Sequence, residues 1–203
     1  MAEVDPPRVG GILLAAGGSR RMGRAKQLVT FEGTTLIRRS AEVLEASQCD
    51  PCTVVLGALA ERCKEELAGI EINICINDHW ESGMSSSIKA GLTQLLQIDP
   101  QIEGVIITLG DQPHITAAIL DNFIAEYRRI RPAVIASEYN NVIGVPALFS
   151  SLMFDSILKL EGDRGASRLI RAAGDQAVTL NVPEAAFDID SPADLVSVGE
   201  TNT

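Results

Sequence analysis

The sequence predicts an α/β protein built on a mostly parallel β-sheet, and two patterns in the chain indicate it. Short runs rich in valine and isoleucine alternate along the chain with segments whose apolar residues recur at helical spacing. The apolar runs lack the polar and apolar alternation of a half-exposed strand, so they suit strands covered on both faces. Strand and helix repeated in this order give parallel strands joined by right-handed crossovers.

Each element is predicted from its own residues. The six runs predicted to be strands are GILLAA (11–16), CTVVLG (52–57), EINICI (71–76), GVIITL (104–109), PAVIAS (132–137) and VIGVPALF (142–149). One helix is predicted to begin near Thr35 and another with Thr116 as its N-cap, because apolar residues recur at helical spacing after both. In the stretch 77–92, at least one serine is predicted to cap the helix that continues through Ile88 and Leu92.

Composition limits the class of protein. A chain of 203 residues that is 46% hydrophobic is predicted to fold as one domain over residues 1–203. The net charge of −10 argues against nucleic-acid binding, which depends on broad neutralisation of phosphates by lysine and arginine. The first residues, MAEVDPPRVGG, do not have the pattern of a secretory signal, and no apolar run approaches the roughly 20 residues that span a bilayer. We therefore expect a cytoplasmic protein without a membrane partner.

The four cysteines are predicted to be reduced thiols. Cys49 and Cys52 have the spacing of a redox or metal motif, but they fall between a helix end and the next strand. A redox pair is expected at a helix N-terminus, and no second Cys/His pair has zinc spacing.

The stretch LLAAGGSRRMGRAKQL (13–28) follows the first strand and combines glycines with cations. The spacing of Gly17, Gly18 and Gly23 matches neither a dinucleotide-binding fingerprint nor a P-loop. What remains is a turn whose N–H groups can bind an anion, with Arg21 and Lys26 placed to neutralise a triphosphate. A solvated basic loop is the alternative.

Acidic residues follow later strands. Asp111 comes shortly after the run at 104–109, and Asp188 and Asp190 share one side of a predicted strand at 187–190. Because ligands of open α/β sheets bind beyond the carboxyl ends of the strands, we expect Asp111 to face the cationic loop there. Its carboxylate is either a ligand for Mg²⁺ or an ordinary turn residue.

The string L-A-A-G-x-S-x-R-M-G-x-x-K-x-L, which occupies 14–28, resembles the signature of the MobA-like nucleotidyltransferases related to the molybdenum cofactor enzymes. Four further segments extend the resemblance over most of the chain: 77–92, 107–113, 187–195, and 162–169 with 142–149. The resemblance implies the Rossmann-like fold of nucleotide-diphospho-sugar transferases, with a mostly parallel sheet in three layers. It also implies Mg²⁺-dependent transfer of a nucleotidyl group, CMP from CTP in the branch with Ala-Ala-Gly at 15–17, to the terminal phosphate of molybdenum cofactor, with release of pyrophosphate.

The resemblance also assigns residues to roles. The catalytic residues it implies are Arg21, Lys26 and Asp111, and the magnesium ligands are Asp111 and Asp190, with Asp188 as second choice. The residues that border the nucleotide are Leu14, Ala15, Ala16, Gly17, Gly18, Lys26, Gly83 and Ser87, with Asn77 as a weaker candidate. The acceptor is implied to be a molybdopterin, lined by the loop 138–144; Arg164 and Arg168 face either this acceptor or solvent. The implied protein partner is a molybdoenzyme or its maturation chaperone.

Neither histidine has the partner pattern of a nucleophile triad. This absence suits phosphate chemistry, because a phosphate monoester with a second pKa of about 6 is already largely dianionic at neutral pH. Three alternatives stay open: transfer from GTP, transfer to another phosphorylated small molecule, and a cofactor-binding maturation factor without enzymatic activity. A dinucleotide-dependent oxidoreductase is disfavoured by the glycine spacing.

Overall fold

A computed structural model describes residues 6–18, 25–163 and 165–189, and it places nine strands and six α-helices in these ranges. The strands are β1 (Val9–Ala15), β2 (Thr30–Phe31), β3 (Thr34–Thr35), β4 (Cys52–Leu56), β5 (Asn73–Ile76), β6 (Gly104–Leu109), β7 (Val134–Tyr139), β8 (Val142–Ser150) and β9 (Ala177–Asn181). The helices are α1 (Leu36–Glu45), α2 (Ala60–Glu66), α3 (Met84–Ile98), α4 (Ala117–Ile130), α5 (Phe154–Leu158) and α6 (Gly165–Ala173).

Seven strands form one sheet in the order β5-β4-β1-β6-β8-β7-β9. The strands β5, β4, β1 and β6 run parallel to one another, and β7 is parallel to β9. Only β8 runs against its neighbours within this sheet, because a tight turn at Asn140 and Asn141 joins it to β7 as a hairpin. The predicted mostly parallel α/β fold is therefore confirmed.

Helices cover both faces of the sheet. In β1, Ile12 packs in the cluster that includes α3, whereas its neighbour Leu13 packs in the cluster that includes α1 and α4. Both side chains are fully buried. This burial on alternate faces explains why the strands read as unbroken apolar runs, and it gives the predicted three-layer arrangement.

All six predicted strands are present with small shifts at their ends. Three other strands were not predicted. β2 and β3 have two residues each around a turn at Glu32 and Gly33, and β9 lies at the sheet edge with half-buried residues. Such short or edge strands carry little hydrophobic periodicity, which is the signal that sequence reasoning uses.

The helix starts test two predicted caps and one predicted start: α1 begins directly after Thr35, as predicted. Thr116 is the N-cap of α4, and its hydroxyl oxygen accepts a hydrogen bond from the Ile119 N–H, as predicted. Thr35 occupies the position before α1, and its hydroxyl donates a hydrogen bond to Glu66. The prediction that a serine caps α3 is wrong: the N-cap is Gly83, and the Ser86 hydroxyl donates to the Gly83 carbonyl oxygen.

The described part of the chain contains no helix long and apolar enough to cross a membrane. The four cysteines are free thiols, as predicted. Cys49 and Cys52 are buried, and the Cys52 thiol donates to the Cys49 carbonyl oxygen over 3.1 Å.

Candidate active site

A cavity of about 540 Å³ opens beyond the carboxyl ends of β1 and β6, beside the N-terminus of α3. The predicted site residues that line it are Leu14, Ala15, Ala16, Gly17, Gly18, Lys26, Gly83, Ser87 and Asp111. Lining residues that the sequence did not indicate are Gln27, Trp80, Glu81, Met84, Leu109, Gly110 and Asp163. Its position agrees with the rule that ligands of open α/β sheets bind at this edge.

Lys26 and Asp111 form an ion pair on the wall of the cavity. The Lys26 ammonium donates to Asp111 Oδ2 over 2.8 Å, although the two residues are 85 positions apart. They meet because Lys26 comes after β1 in the chain and Asp111 comes after β6. These two strands are neighbours in the sheet, with Leu14 paired to Leu109. The side chains are only 13% and 27% exposed, so water screens the pair weakly.

The second oxygen of Asp111 is available to a cation. Asp111 Oδ1 is buried and has no hydrogen-bond partner among the described residues. A buried carboxylate oxygen without a partner is costly, and a hard oxygen is the ligand that Mg²⁺ prefers. The described ranges hold no group of three or more His, Cys, Asp or Glu suited to a metal. The buried oxygen of Asp111 is suited to bind a metal ion in the cavity.

The segment 187–189 runs beside Asp111. The Ile189 N–H donates to the Asp111 carbonyl oxygen over 3.1 Å, and the Ile189 side chain is fully buried. This segment is not a strand, so the predicted strand at 187–190 is wrong over its described part. The segment is held by aromatic packing of Phe187 against His114. The centroids of the two rings are 4.9 Å apart. His114 thereby has a packing role.

Tyr139, at the end of β7, has a pKa that depends on the acidic charges of this region. Burial raises the pKa of its phenol above the ordinary value, and the negative charges of Asp188 and Asp111 raise it further. Asp188 and Asp111 therefore both lie within electrostatic reach of the tyrosine. The region 138–144, predicted as a loop, consists of the end of β7, a two-residue turn and the start of β8.

The chain has only two tyrosines, which makes this placement measurable. Burial also raises the pKa of Tyr127, so we expect phenolate absorbance to appear above pH 10 in the native protein. In a Tyr127→Phe background, Asp188→Asn should lower the pKa of Tyr139. Because the fold disfavours the phenolate, the free energy of unfolding should fall as the pH rises above about 10, where the tyrosine ionises more readily in the unfolded chain. A midpoint that Asp188→Asn leaves unchanged would contradict the placement.

The two glycines after β1 have different surroundings. A Cβ atom at Gly17 would meet no described atom within 4 Å, so this position opens onto the cavity. A Cβ atom at Gly18 would lie 3.0 Å from the Trp80 ring. Trp80 also packs its own Cβ atom against Gly57. The indole is thus seated on Gly18 and Gly57 and forms a fixed wall of the cavity.

The N-terminus of α3 forms another wall of the cavity. Gly83 has φ +109°, and a Cβ atom there would lie 2.7 Å from the carbonyl carbon of Gly162, so only glycine fits. Asn77 is buried but does not line the cavity; its side-chain amide donates to the hydroxyl oxygens of Ser86 and Ser87. Ser87 is therefore held in place on the cavity wall, and Asn77 is its support.

The loop before α6 completes this wall. The Ser85 N–H and hydroxyl both donate to the Gly162 carbonyl oxygen, which brings the neighbouring Asp163 to the cavity. Arg168 is exposed on α6. Three predicted residues, Arg21, Asp190 and Arg164, lie outside the described residues.

Comparisons with known proteins agree with this architecture. Residues 11–178 match the family model of the MobA-like NTP transferase domain. Nicotine blue oxidoreductase of Paenarthrobacter nicotinovorans is 29% identical over 181 residues, covering 84% of this chain and 85% of the relative. Molybdenum cofactor cytidylyltransferase of Escherichia coli (strain K12) is 26% identical over 194 residues, covering 95% and 96%. The crystal structure of the Mycobacterium sp. strain JC1 homologue of Mycobacterium tuberculosis Rv0371c has a TM-score of 0.82 at 35% identity, covering 94% and 96%.

Proposed function

The chain belongs to the family of MobA-like NTP transferase domains, and on this premise we propose that residues 1–203 form one domain that transfers a nucleotidyl group to a phosphorylated acceptor. The observation that carries the proposal is the Lys26–Asp111 pair on the wall of the cavity. Lys26 supplies a cation that can neutralise phosphates, and the adjacent Asp111 supplies a carboxylate that can bind the metal ion of a nucleotide. Binding of a metal-bound polyphosphate requires both charges at one place.

We further propose that the nucleotide is CTP and that the acceptor is the terminal phosphate of molybdenum cofactor. The supporting observations are the Ala-Ala-Gly stretch at 15–17 and the Escherichia coli cytidylyltransferase, which matches 95% of this chain. GTP is the alternative nucleotide, and another phosphorylated small molecule is the alternative acceptor. A molybdoenzyme or its maturation chaperone is the proposed partner that receives the product.

In the proposed reaction, an oxygen of the acceptor phosphate forms a bond to the α-phosphorus in line, while the bond from that phosphorus to the bridging oxygen breaks. Pyrophosphate leaves with the bonding electrons. Because the attacking phosphate is already a dianion, no strong base is needed, and catalysis consists of alignment and charge neutralisation.

The residues of the chain divide this work. Arg21 and Lys26 neutralise the phosphates, Gly17 admits them to the loop, and Gly83 with Ser87 borders the base and ribose. Asp111 would hold Mg²⁺ together with Asp190, or with Asp188 as second choice, and the metal would neutralise phosphate charge. Trp80, seated on Gly18, fixes the wall against which the nucleotide rests.

The proposal is tested by incubating the protein with Mg²⁺ and molybdenum cofactor and with CTP, GTP or ATP in turn, while pyrophosphate is measured. We expect release with CTP, and the other two nucleotides measure its selectivity. Nucleotide or cofactor binding without release would support the maturation factor instead. Release with a sugar phosphate, and none with molybdenum cofactor, would change the acceptor.

One relative is named an oxidoreductase, so an oxidoreductase activity of this chain should also be assayed. Nicotine blue oxidoreductase shares 29% identity with this chain, so family membership leaves the reaction of an individual member open. The glycine spacing at 17, 18 and 23 departs from the dinucleotide-binding fingerprint. We therefore expect no oxidation of NADH or NADPH in the presence of a dye acceptor. Their oxidation without pyrophosphate release would replace nucleotidyl transfer by hydride transfer.

The unlike surroundings of the two loop glycines give a paired prediction. Gly17 is exposed and its φ lies outside the left-handed region, so Gly17→Ala should change the free energy of unfolding by less than about 0.5 kcal/mol. Its methyl group projects into the cavity and should weaken triphosphate binding about tenfold, the equivalent of about 1.4 kcal/mol. Gly18→Ala presses on the Trp80 ring and should destabilise the fold by about 1 kcal/mol.

Trp80 is the only tryptophan of the chain, so its fluorescence reports both nucleotide binding and unfolding by urea. Triphosphate binding by Gly17→Ala that is as tight as that of the wild type would remove Gly17 from the phosphate path. An equal free energy of unfolding for Gly18→Ala and the wild type would contradict the packing of Trp80 against Gly18.

A further inference from the structure

We propose that Gln27 is a positioning residue: its side-chain amide holds the loop after β1 in a conformation that binds a polyphosphate. The inference rests on the proposed function and adds a residue that neither the motif nor the charge pattern indicates. Gln27 lies next to Lys26 in a short 3₁₀ helix, Lys26–Leu28, and Gln27 is only 7% exposed.

Three consecutive carbonyl groups, starting at the last residue of β1, accept hydrogen bonds from other parts of the protein. Gln27 Nε2 donates to the Ala15 carbonyl oxygen over 3.1 Å and also to the Gly17 carbonyl oxygen. The carbonyl oxygen between them, that of Ala16, accepts from the Ala58 N–H over 3.0 Å. A single side-chain amide thus holds the first and third peptide groups of the segment that lines the cavity.

The planarity of the peptide group gives these bonds a consequence for anions. In a trans peptide the carbonyl and the following N–H point in opposite directions. Since the carbonyl groups of Ala15 and Gly17 face Gln27, the N–H groups of Ala16 and Gly18 point away from it. The carbonyl oxygens, which would repel phosphate oxygens, are covered by donors, and the N–H dipoles are fixed in direction before a ligand arrives.

The chemistry of the side chain suits this role. The NH₂ group of glutamine has two hydrogens, which match two carbonyl acceptors, and the group adds no charge to the site. A glutamate has the same shape but cannot donate when ionised, and its charge would face two carbonyl oxygens. Because Gln27 is directly bonded to Lys26 in the chain, one short helix sets the orientation of both the loop and the cation.

The test compares Gln27→Glu and Gln27→Met with the wild type, using Trp80 fluorescence to measure the affinities for CTP and cytidine and for GTP and guanosine. For the triphosphate that the wild type prefers, we expect Kd to rise about tenfold or more in both variants, because the loop dipoles lose their fixed direction. The Kd of the matching nucleoside, which has no phosphate to meet the loop, should stay within about twofold. Urea unfolding establishes that each variant is folded.

Gln101→Glu is the matched control, because it makes the same change in charge at an exposed residue just before β6, at the opposite edge of the sheet from the cavity. Its affinities should equal those of the wild type. If Gln27→Glu does not fold, Gln27→Met decides alone.

The outcomes separate this inference from the function on which it rests. Unchanged triphosphate affinity in a folded Gln27 variant overturns it, and so does an equal loss of nucleoside and triphosphate affinity, which a purely structural role predicts. If the wild type binds a triphosphate and releases pyrophosphate, only the role of Gln27 has then failed. If the wild type binds no triphosphate, the proposed function fails and the inference fails with it.

Discussion

Asp111→Ala is expected to lower kcat for pyrophosphate release at least 10²- to 10³-fold at saturating Mg²⁺, which is the typical cost of removing one preorganised group from such a site. Two losses combine in this variant. Asp111 Oδ1 is the buried oxygen without a described partner, so its removal takes away the proposed metal ligand. Asp111 Oδ2 accepts a hydrogen bond from Lys26, so the ammonium also loses this ion pair.

Asp111→Asn separates these losses from a change of shape, because it keeps the size of the side chain and removes the charge. We expect it to be nearly as impaired as Asp111→Ala and to have lost Mn²⁺ binding in a direct titration, which does not depend on turnover. Asp155→Asn, an exposed residue on α5 that does not line the cavity, is the control for the loss of one negative charge. Near-normal turnover by Asp111→Ala would remove the metal assignment.

The position of Asp111 could be predicted from sequence because it depends on rules that act over the whole sheet. The runs before Asp111 and before the glycine loop are apolar without alternation, which indicates buried parallel strands. Residues just beyond the carboxyl ends of such strands share one edge of the sheet. These two rules place Lys26 and Asp111 at one edge of the sheet although they are 85 positions apart in the sequence.

Gln27 and Trp80 could not be predicted in this way. Gln27 binds backbone carbonyl groups, and every residue has a carbonyl, so no sequence pattern marks its partners. Trp80 is seated on Gly18 and Gly57, and each glycine alone reads as an ordinary turn residue. A lone tryptophan beside a glycine- and serine-rich segment was the available signal, and its meaning depends on a packing contact between distant residues.

The α3 cap shows why local rules fail near the site. Serines before an apolar helix usually cap it. Here Gly83 takes the N-cap position, because φ is +109° and the backbone of Gly162 approaches too closely for any side chain. Ser85 instead donates to the Gly162 carbonyl oxygen, which ties the helix start to the loop that carries Asp163. A contact across 77 positions has therefore overridden the local preference.

Lys26→Met is expected to change catalysis and metal binding in opposite directions. The variant keeps the length of the side chain but loses the cation that neutralises the phosphates, so kcat should fall about 10²- to 10³-fold. In the protein without nucleotide, however, the Lys26 ammonium lies 2.8 Å from Asp111 Oδ2 and neutralises the carboxylate that a metal would use. Its removal should therefore tighten Mn²⁺ binding several-fold, measured by titration of the free metal signal.

Lys64→Met is the matched control, because Lys64 forms an ion pair of the same 2.8 Å length with Glu61 on the exposed face of α2. Exposed pairs contribute little, so this variant should keep both the turnover and the Mn²⁺ affinity of the wild type. The opposite signs expected for Lys26→Met distinguish two roles of one lysine. If kcat and Mn²⁺ affinity fell together, Lys26 would support the metal site and would not compete for it. The ion pair would then persist when nucleotide binds, and the phosphates would need another cation, for which Arg21 is the proposed residue.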